Sequence, residues 1–345
     1  MKVTMFVVFL IFSLFACTKN SDTENKKNNG TNNASGYVFG LTTGLGDLGD
    51  YAFNDMQYNG MIMAKKQFGI NFYYNSPKTE DEDEAKLLEL IKKGCNVIFA
   101  GGGYHMIDPI DKIAPMYPQV LFILLDDKPK TLYKNVAGIM FKQNEGSFLA
   151  GMLAASMSKT NSIGSVSAMN IEVINDFIIG YEAGARYVNP TIRFKNIYLA
   201  EDMGEKNPFS APQTASLASK KLISDFKTDV IFQIASASGN GVFNTAKDMK
   251  IYAIGVDSDQ DYLAKGVILT SMMKRLDIAI LFMVERVLSN NFENKVYNLG
   301  LKENGIGLSP MRYTKNIIPE NVQNAIKKAE KEIIEGKMYV PSYYK

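Results

Sequence analysis

Short runs of apolar and β-branched residues, each bounded by turn residues, alternate along this chain with longer segments of helical spacing, and that alternation limits the fold more than any other feature. The runs predict strands at 37–43, 71–74, 97–100, 120–125, 162–167, 230–233 and 251–256, with further strand segments around 197–199 and at 268–271. Most are continuously apolar, which suits parallel strands buried on both faces. Helical spacing predicts a helix over 145–158, with Phe148, Leu149, Met152 and Leu153 on one face. It predicts another over 213–226, where Ala218, Leu222 and Phe226 recur every four residues, and a third over 275–288. Repeated βα units imply an α/β fold with doubly wound parallel sheets, whose ligands sit outside the carboxyl ends of the strands. At 345 residues the chain exceeds what one core usually supports, so two lobes facing each other across a cleft are expected, joined by hinge strands.

Composition removes several function classes. The formal net charge is +2, far from the concentrated basic face that nucleic acid requires, so nucleic acid is excluded as a partner. Cys17 and Cys95 are the only cysteines and lie far apart, which rules out a disulfide framework; Cys95, beside a predicted strand, reads as an inert buried thiol. His105 is the only histidine, so His-dependent triads and multi-His metal sites lack their ingredients. No cofactor or metal is expected, and the chain is not read as an enzyme.

The N-terminus reads as an address. Lys2 precedes an apolar run from Val3 to Phe15, too short to span a bilayer and typical of a signal peptide covering 1–16. The sequence Leu14-Phe15-Ala16-Cys17 resembles a bacterial lipobox, which makes Cys17 the expected lipidation site. Residues 17–36 are almost wholly polar and cannot bury enough surface to order themselves, so they read as a tether. The expected location is the bacterial cell envelope, lipid-anchored to a membrane and facing the periplasm or outer surface.

Candidate ligand-binding residues fall in the strand-to-helix loops. The first strand runs into Gly44-Leu45-Gly46-Asp47-Leu48-Gly49, a literal G-x-G-x-x-G, but the second strand ends Tyr73-Tyr74-Asn75-Ser76 without the ribose-binding acid of a dinucleotide fold. The glycines are therefore read as a tight turn. Asp47, Asp50, Phe53 and Asn54 follow, offering carboxylates, an aromatic face and an amide. Asp50 equally fits a helix N-cap. Asp126 ends the predicted strand at 120–125, with Asp127 beside it as an alternative register, and Asp257 ends the strand at 251–256. Ser236, Ser238, Gly239 and Gly241 form a small-residue loop where backbone N–H groups can approach a polar ligand.

The segment Asp50-Tyr51-Ala52-Phe53-Asn54 resembles the opening-loop motif of the basic membrane protein, or PnrA-like, family of purine-nucleoside-binding lipoproteins. Matching segments follow in order: 141–159 (FKQNEGSFLAGMLAASMSK), 180–184 (GYEAG), 254–264 (IGVDSDQDYLA) and 300–303 (GLKE). The resemblance implies a type I periplasmic-binding-protein fold, with one lobe at 37–141 plus about 258–290 and the other at 142–257 plus about 291–345. It implies a purine nucleoside stacked between two Phe rings, delivered to an ABC permease. Phe53 fits the first ring; Phe209 is chosen for the second, with Phe177 as competitor. Asp257 is expected to take the ribose hydroxyls, Lys274 to contact the ribose and pair with Asp257, and Asp126 to lie near the base. Residues 201–212 depart from the family pattern. That departure motivates an alternative in which a surface lipoprotein of the same fold acts mainly as an adhesin or macromolecule-binding protein.

Overall fold

The computed structural model describes residues 36–344; the signal-peptide, Cys17 and tether readings concern residues outside that range, save Gly36. Twelve strands follow in chain order: β1 (Phe39–Thr43), β2 (Phe72–Asn75), β3 (Val97–Gly101), β4 (Leu121–Leu125), β5 (Val136–Phe141), β6 (Ser162–Ser167), β7 (Arg193–Tyr198), β8 (Val230–Ile234), β9 (Tyr252–Asp257), β10 (Ile268–Lys274), β11 (Val296–Leu299) and β12 (Ile306–Leu308). They form two six-stranded sheets, ordered β11-β5-β4-β3-β1-β2 and β12-β10-β9-β8-β6-β7. Every described pairing is parallel except β10 with β12. Central strands β1, β3, β6 and β8 are buried along their whole length, as parallel strands covered on both faces are, even where, as in β6 (SIGSVS), the run is not continuously apolar. Edge strands β2 and β7 show partial, alternating exposure.

The helices are α1 (Phe53–Phe68), α2 (Asp83–Lys92), α3 (Ile107–Ile113), α4 (Gln143–Met157), α5 (Glu172–Val188), α6 (Leu199–Met203), α7 (Pro212–Phe226), α8 (Gly239–Met249), α9 (Leu276–Leu288) and α10 (Glu320–Ile334). Helices α4 and α5 cross at backbone contact. A Cβ added at Gly184 would stand 1.9 Å from the Phe148 carbonyl oxygen, and one at Gly151 would stand 2.0 Å from that of Tyr181. Only glycine permits that approach.

Sheet membership relocates the expected lobe boundaries. The chain leaves the first sheet after β5 and returns only after β10, because β10 pairs with β9 in the second sheet rather than joining the first lobe. α9 then packs on α1, where Gly60 meets the backbone of Asp277, and β11 closes the edge of the first sheet beside β5. The chain crosses again between β11 and β12. Residues 258–274 thus belong with the second sheet, and 291–299 with the first. Among the described residues three crossings connect the lobes, at Lys142, Arg275 and 300–305.

Candidate ligand-binding cleft

The carboxyl ends of both sheets face one cavity, lined from both lobes, where ligands of doubly wound sheets bind. From the first lobe it is lined by Gly44, Phe53, Asn54, 102–105 and Asp126; from the second by 171–177 in part, Phe209, 234–236, Asp257 and Lys274. Three non-glycine residues on this wall, Asp126, Ser236 and Asp257, adopt left-handed backbone with φ of 68°, 49° and 66°. Each follows or ends a strand, so the turn aims its side chain across the cleft instead of along the sheet. Asp tolerates this conformation better than most residues.

Lys274 is nearly fully buried and donates from Nζ to both carboxylate oxygens of Asp126, at 2.7 and 2.8 Å. The expected Lys274–Asp257 pair is therefore replaced by a Lys274–Asp126 pair joining β10 of the second lobe to the end of β4 in the first. The same ammonium lies 4.6 Å from the centre of the Phe177 ring. Burial raises the Asp126 pKa, opposed by Lys274. Asp127 points elsewhere: it accepts the Lys128 N–H at 2.7 Å and bridges to Ile139, with burial pushing its pKa up to about 6. Asp257 is buried, and its carboxylate accepts no hydrogen bond from any described residue. Burial pushes its pKa up to about 7, against the attraction of Lys274 and helped by repulsion from Asp126 and Asp50. An unpaired buried carboxylate facing a cavity is costly unless a ligand supplies donors.

Four residues expected to touch ligand do not line the cavity; they build it. Asp50 is not the N-cap residue of α1, which is Ala52, but from two residues upstream it accepts the backbone N–H groups of Ala52, Asn54 and Asp55, and also the Ser236 hydroxyl at 2.9 Å from the other lobe. Asp47 bonds the Tyr74 hydroxyl and the Leu48 N–H, while its carbonyl accepts the Asn54 amide at 2.9 Å. Ser238 accepts the Ala211 N–H and donates to the Pro208 carbonyl, both at 2.7 Å, which pins the loop that carries Phe209. Gly239 makes room for Gln233, whose side chain would overlap a Cβ there. The G-x-G-x-x-G stretch is a turn, with φ of 96° at both Gly46 and Gly49.

Further bonds clasp the lobes: the Tyr51 carbonyl accepts from the Ser258 hydroxyl and from Gln260 Nε2 at 3.1 Å. Phe53 and Phe209 are half-buried, whereas Phe177 is 3% exposed and packs against Phe232. Both candidates for the second aromatic wall thus reach the cavity. Sequence reasoning missed the apolar wall around Ile171, Ile174 and Ile234; isolated aliphatic residues carry no signal of facing a cleft. Cys95 is buried, donates to the Phe39 carbonyl and has its thiol pKa pushed up to about 11 by burial, as an inert thiol should.

The family model for PnrA-like ABC transporter substrate-binding proteins matches residues 41–342. The chain belongs to that family. Its members are solute-binding proteins, not enzymes, so this protein is the substrate-binding component of an ABC transporter. Among similar proteins, basic membrane protein A2 of Borrelia garinii is 30% identical over 304 residues, covering 86% of each chain. The CD4+ T-cell-stimulating antigen of Listeria monocytogenes is 29% identical and covers 95% of this chain and 94% of its own. A lipoprotein of Pyrococcus furiosus is 28% identical over 86% of this chain and 79% of its own. Among solved structures, an ABC transporter solute-binding protein of Aeropyrum pernix superposes with a TM-score of 0.78 at 24% identity, covering 88% of this chain and 94% of that one. Relatives named as lipoproteins and basic membrane proteins associate the family with the cell envelope, and no helix among the described residues is long and apolar enough to cross a membrane.

Proposed function

We propose that this protein captures a purine nucleoside in the interlobe cleft and hands it to an ABC permease, held at the membrane by a lipid on Cys17. The observation that carries this reading is the convergence of an aromatic ring from each lobe on a cavity that also holds one unpaired buried carboxylate. Phe53 faces the cavity from one side and Phe209 or Phe177 from the other. Stacking of this kind contributes about 1–3 kcal/mol per base and suits any purine. Asp257 offers acceptors to vicinal ribose hydroxyls, and bonds to a charged acceptor exceed neutral ones in strength. The Asp126–Lys274 pair adds a donor and acceptor set beside the base.

Titration calorimetry of the ligand-stripped protein with inosine, guanosine and adenosine tests the reading, with micromolar or tighter binding and no turnover expected. Absence of heat and of any thermal shift with all three would sink it. Mass spectrometry of whatever solute co-purifies provides an independent check. For the anchor, Cys17→Ala is expected to release the protein from the membrane fraction; retention there would refute lipidation at that residue.

A further inference from the structure

The cleft wall contains one feature that neither stacking nor ribose recognition uses. His105, the only histidine of the chain, lines the cavity with its side chain just 3% exposed. Its ring folds over Gly102, where an added Cβ would stand 2.2 Å from Cε1 and 2.4 Å from Nε2. Tyr104 meets the ring edge-on at 5.3 Å between centroids and donates its hydroxyl to Glu80 at 2.7 Å. His105 Nδ1 lies 2.6 Å from Asp83 Oδ2 at the start of α2.

Asp83 is fully buried, and its other oxygen, Oδ1, makes no hydrogen bond to any described residue. Burial raises its pKa, opposed by the bond to His105. A carboxylate so costly to bury, with the imidazole as its sole side-chain partner, orients that imidazole. The hydrogen bond made by one ring nitrogen sets the state of the other. With Nδ1–H directed at Asp83, the neutral ring keeps its lone pair on Nε2, and Nε2 has no partner among the described residues.

We infer that His105 is a ligand-contacting, specificity-setting residue, held by Asp83 as the Nδ1–H tautomer so that Nε2 accepts a hydrogen bond from an N–H group of the bound base. This assignment rests on the purine-nucleoside reading and sharpens it. The favoured ligands carry an N–H on the pyrimidine edge, as 6-amino and 6-oxo purines do, and unsubstituted purine riboside, which has none there, is disfavoured.

His105→Asn separates reading the ligand from supporting the fold, because the Asn amide keeps a donor for Asp83 and lacks any atom at the Nε2 position. Wild type is expected to bind adenosine or inosine more tightly than purine riboside, and that ratio is expected to fall about five- to tenfold in H105N. A structural role alone predicts an unchanged ratio. A tag-free, 15N-histidine-labelled chain contains a single imidazole, so long-range proton–nitrogen spectra read its tautomer directly. The Nδ1–H form is expected, with the Nε2 resonance moving when nucleoside is added. An Nε2–H tautomer, an unmoved Nε2 resonance, or an unchanged ratio in H105N overturns the assignment while nucleoside binding stands. Failure of wild type to bind any of the three nucleosides overturns the nucleoside reading, and this assignment with it.

Discussion

Asp257→Asn is expected to make the ligand-free protein more stable while it weakens ligand binding. Asp257 ends β9 with its carboxylate buried and no described donor satisfying it, and its pKa is pushed up to about 7. An unfolded aspartate titrates near about 3.9. Between those values the folded chain binds more protons than the unfolded one, so this residue's contribution to stability falls as pH rises through that window. Roughly three units at about 1.4 kcal/mol each amount to about 4 kcal/mol lost above pH 7, an upper bound on what removing the charge recovers. Asparagine does not ionise, is nearly isosteric, and tolerates the left-handed φ of 66° at this position. Urea unfolding of ligand-stripped protein at pH 4.5, 6 and 8 should therefore show a gain that is largest at pH 8 and vanishes toward pH 4.5. Loss of one charge-assisted hydrogen bond, about 1.5–3 kcal/mol, should weaken nucleoside binding by roughly 10- to 150-fold. A variant less stable than wild type at pH 8, or one whose gain is the same at all three values, would refute the reasoning. Ligand must be removed first, because occupancy stabilises the folded state by mass action.

Lys274→Met leaves Asp126 buried without its cation, which should cost about 3–5 kcal/mol at pH 8 in urea unfolding. That cost should shrink on acidification, since burial already raises the Asp126 pKa and a protonated carboxyl needs no counter-charge; a pH-independent loss would contradict this account. Phe53→Ala should lower nucleoside affinity by about 1–3 kcal/mol in calorimetry with a smaller effect on stability, because the ring is half-buried. Phe209→Ala should behave the same way, whereas Phe177→Ala should also destabilise the fold by about 3–5 kcal/mol; unchanged affinity in F209A would assign the second wall to Phe177. Gly184→Ala drives a methyl to 1.9 Å from the Phe148 carbonyl and should force α4 and α5 apart at a cost of about 1–3 kcal/mol or more; an unchanged melting temperature would disprove so tight a crossing.

The central strands were legible as short β-rich runs between turn residues, continuously apolar in β3 and β4 and interrupted by Gly, Ser, Thr or Gln in β1, β6, β8 and β9, and helical spacing marked α4, α7 and α9, whereas α1, α5 and α10 had no predicted span. Strands β5, β11 and β12 were not read. The last two are only four and three residues long, too short for a period to register. Partner choice was equally hidden: the apolar run of β10 suits either sheet, and only its pairing with β9 put it in the second lobe.

Within the site, the sequence determined that chemistry would lie in loops after strands, and which residue types those loops carried. It also ranked Asp126 over Asp127 only by position. The tertiary structure decided direction. A left-handed turn at Asp126 and at Asp257 aims both carboxylates into the cleft, while Asp50 turns back to the N–H groups at the start of α1 and Ser238 turns back to pin the Phe209 loop. Lys274 reaches Asp126 because the two sheets present their carboxyl ends to each other, a relation between residues 148 positions apart that local pattern does not encode. Alternation along the chain follows from burial and hydrogen bonding near each residue, whereas the partners of a charge in the cleft follow from how two separately built lobes close.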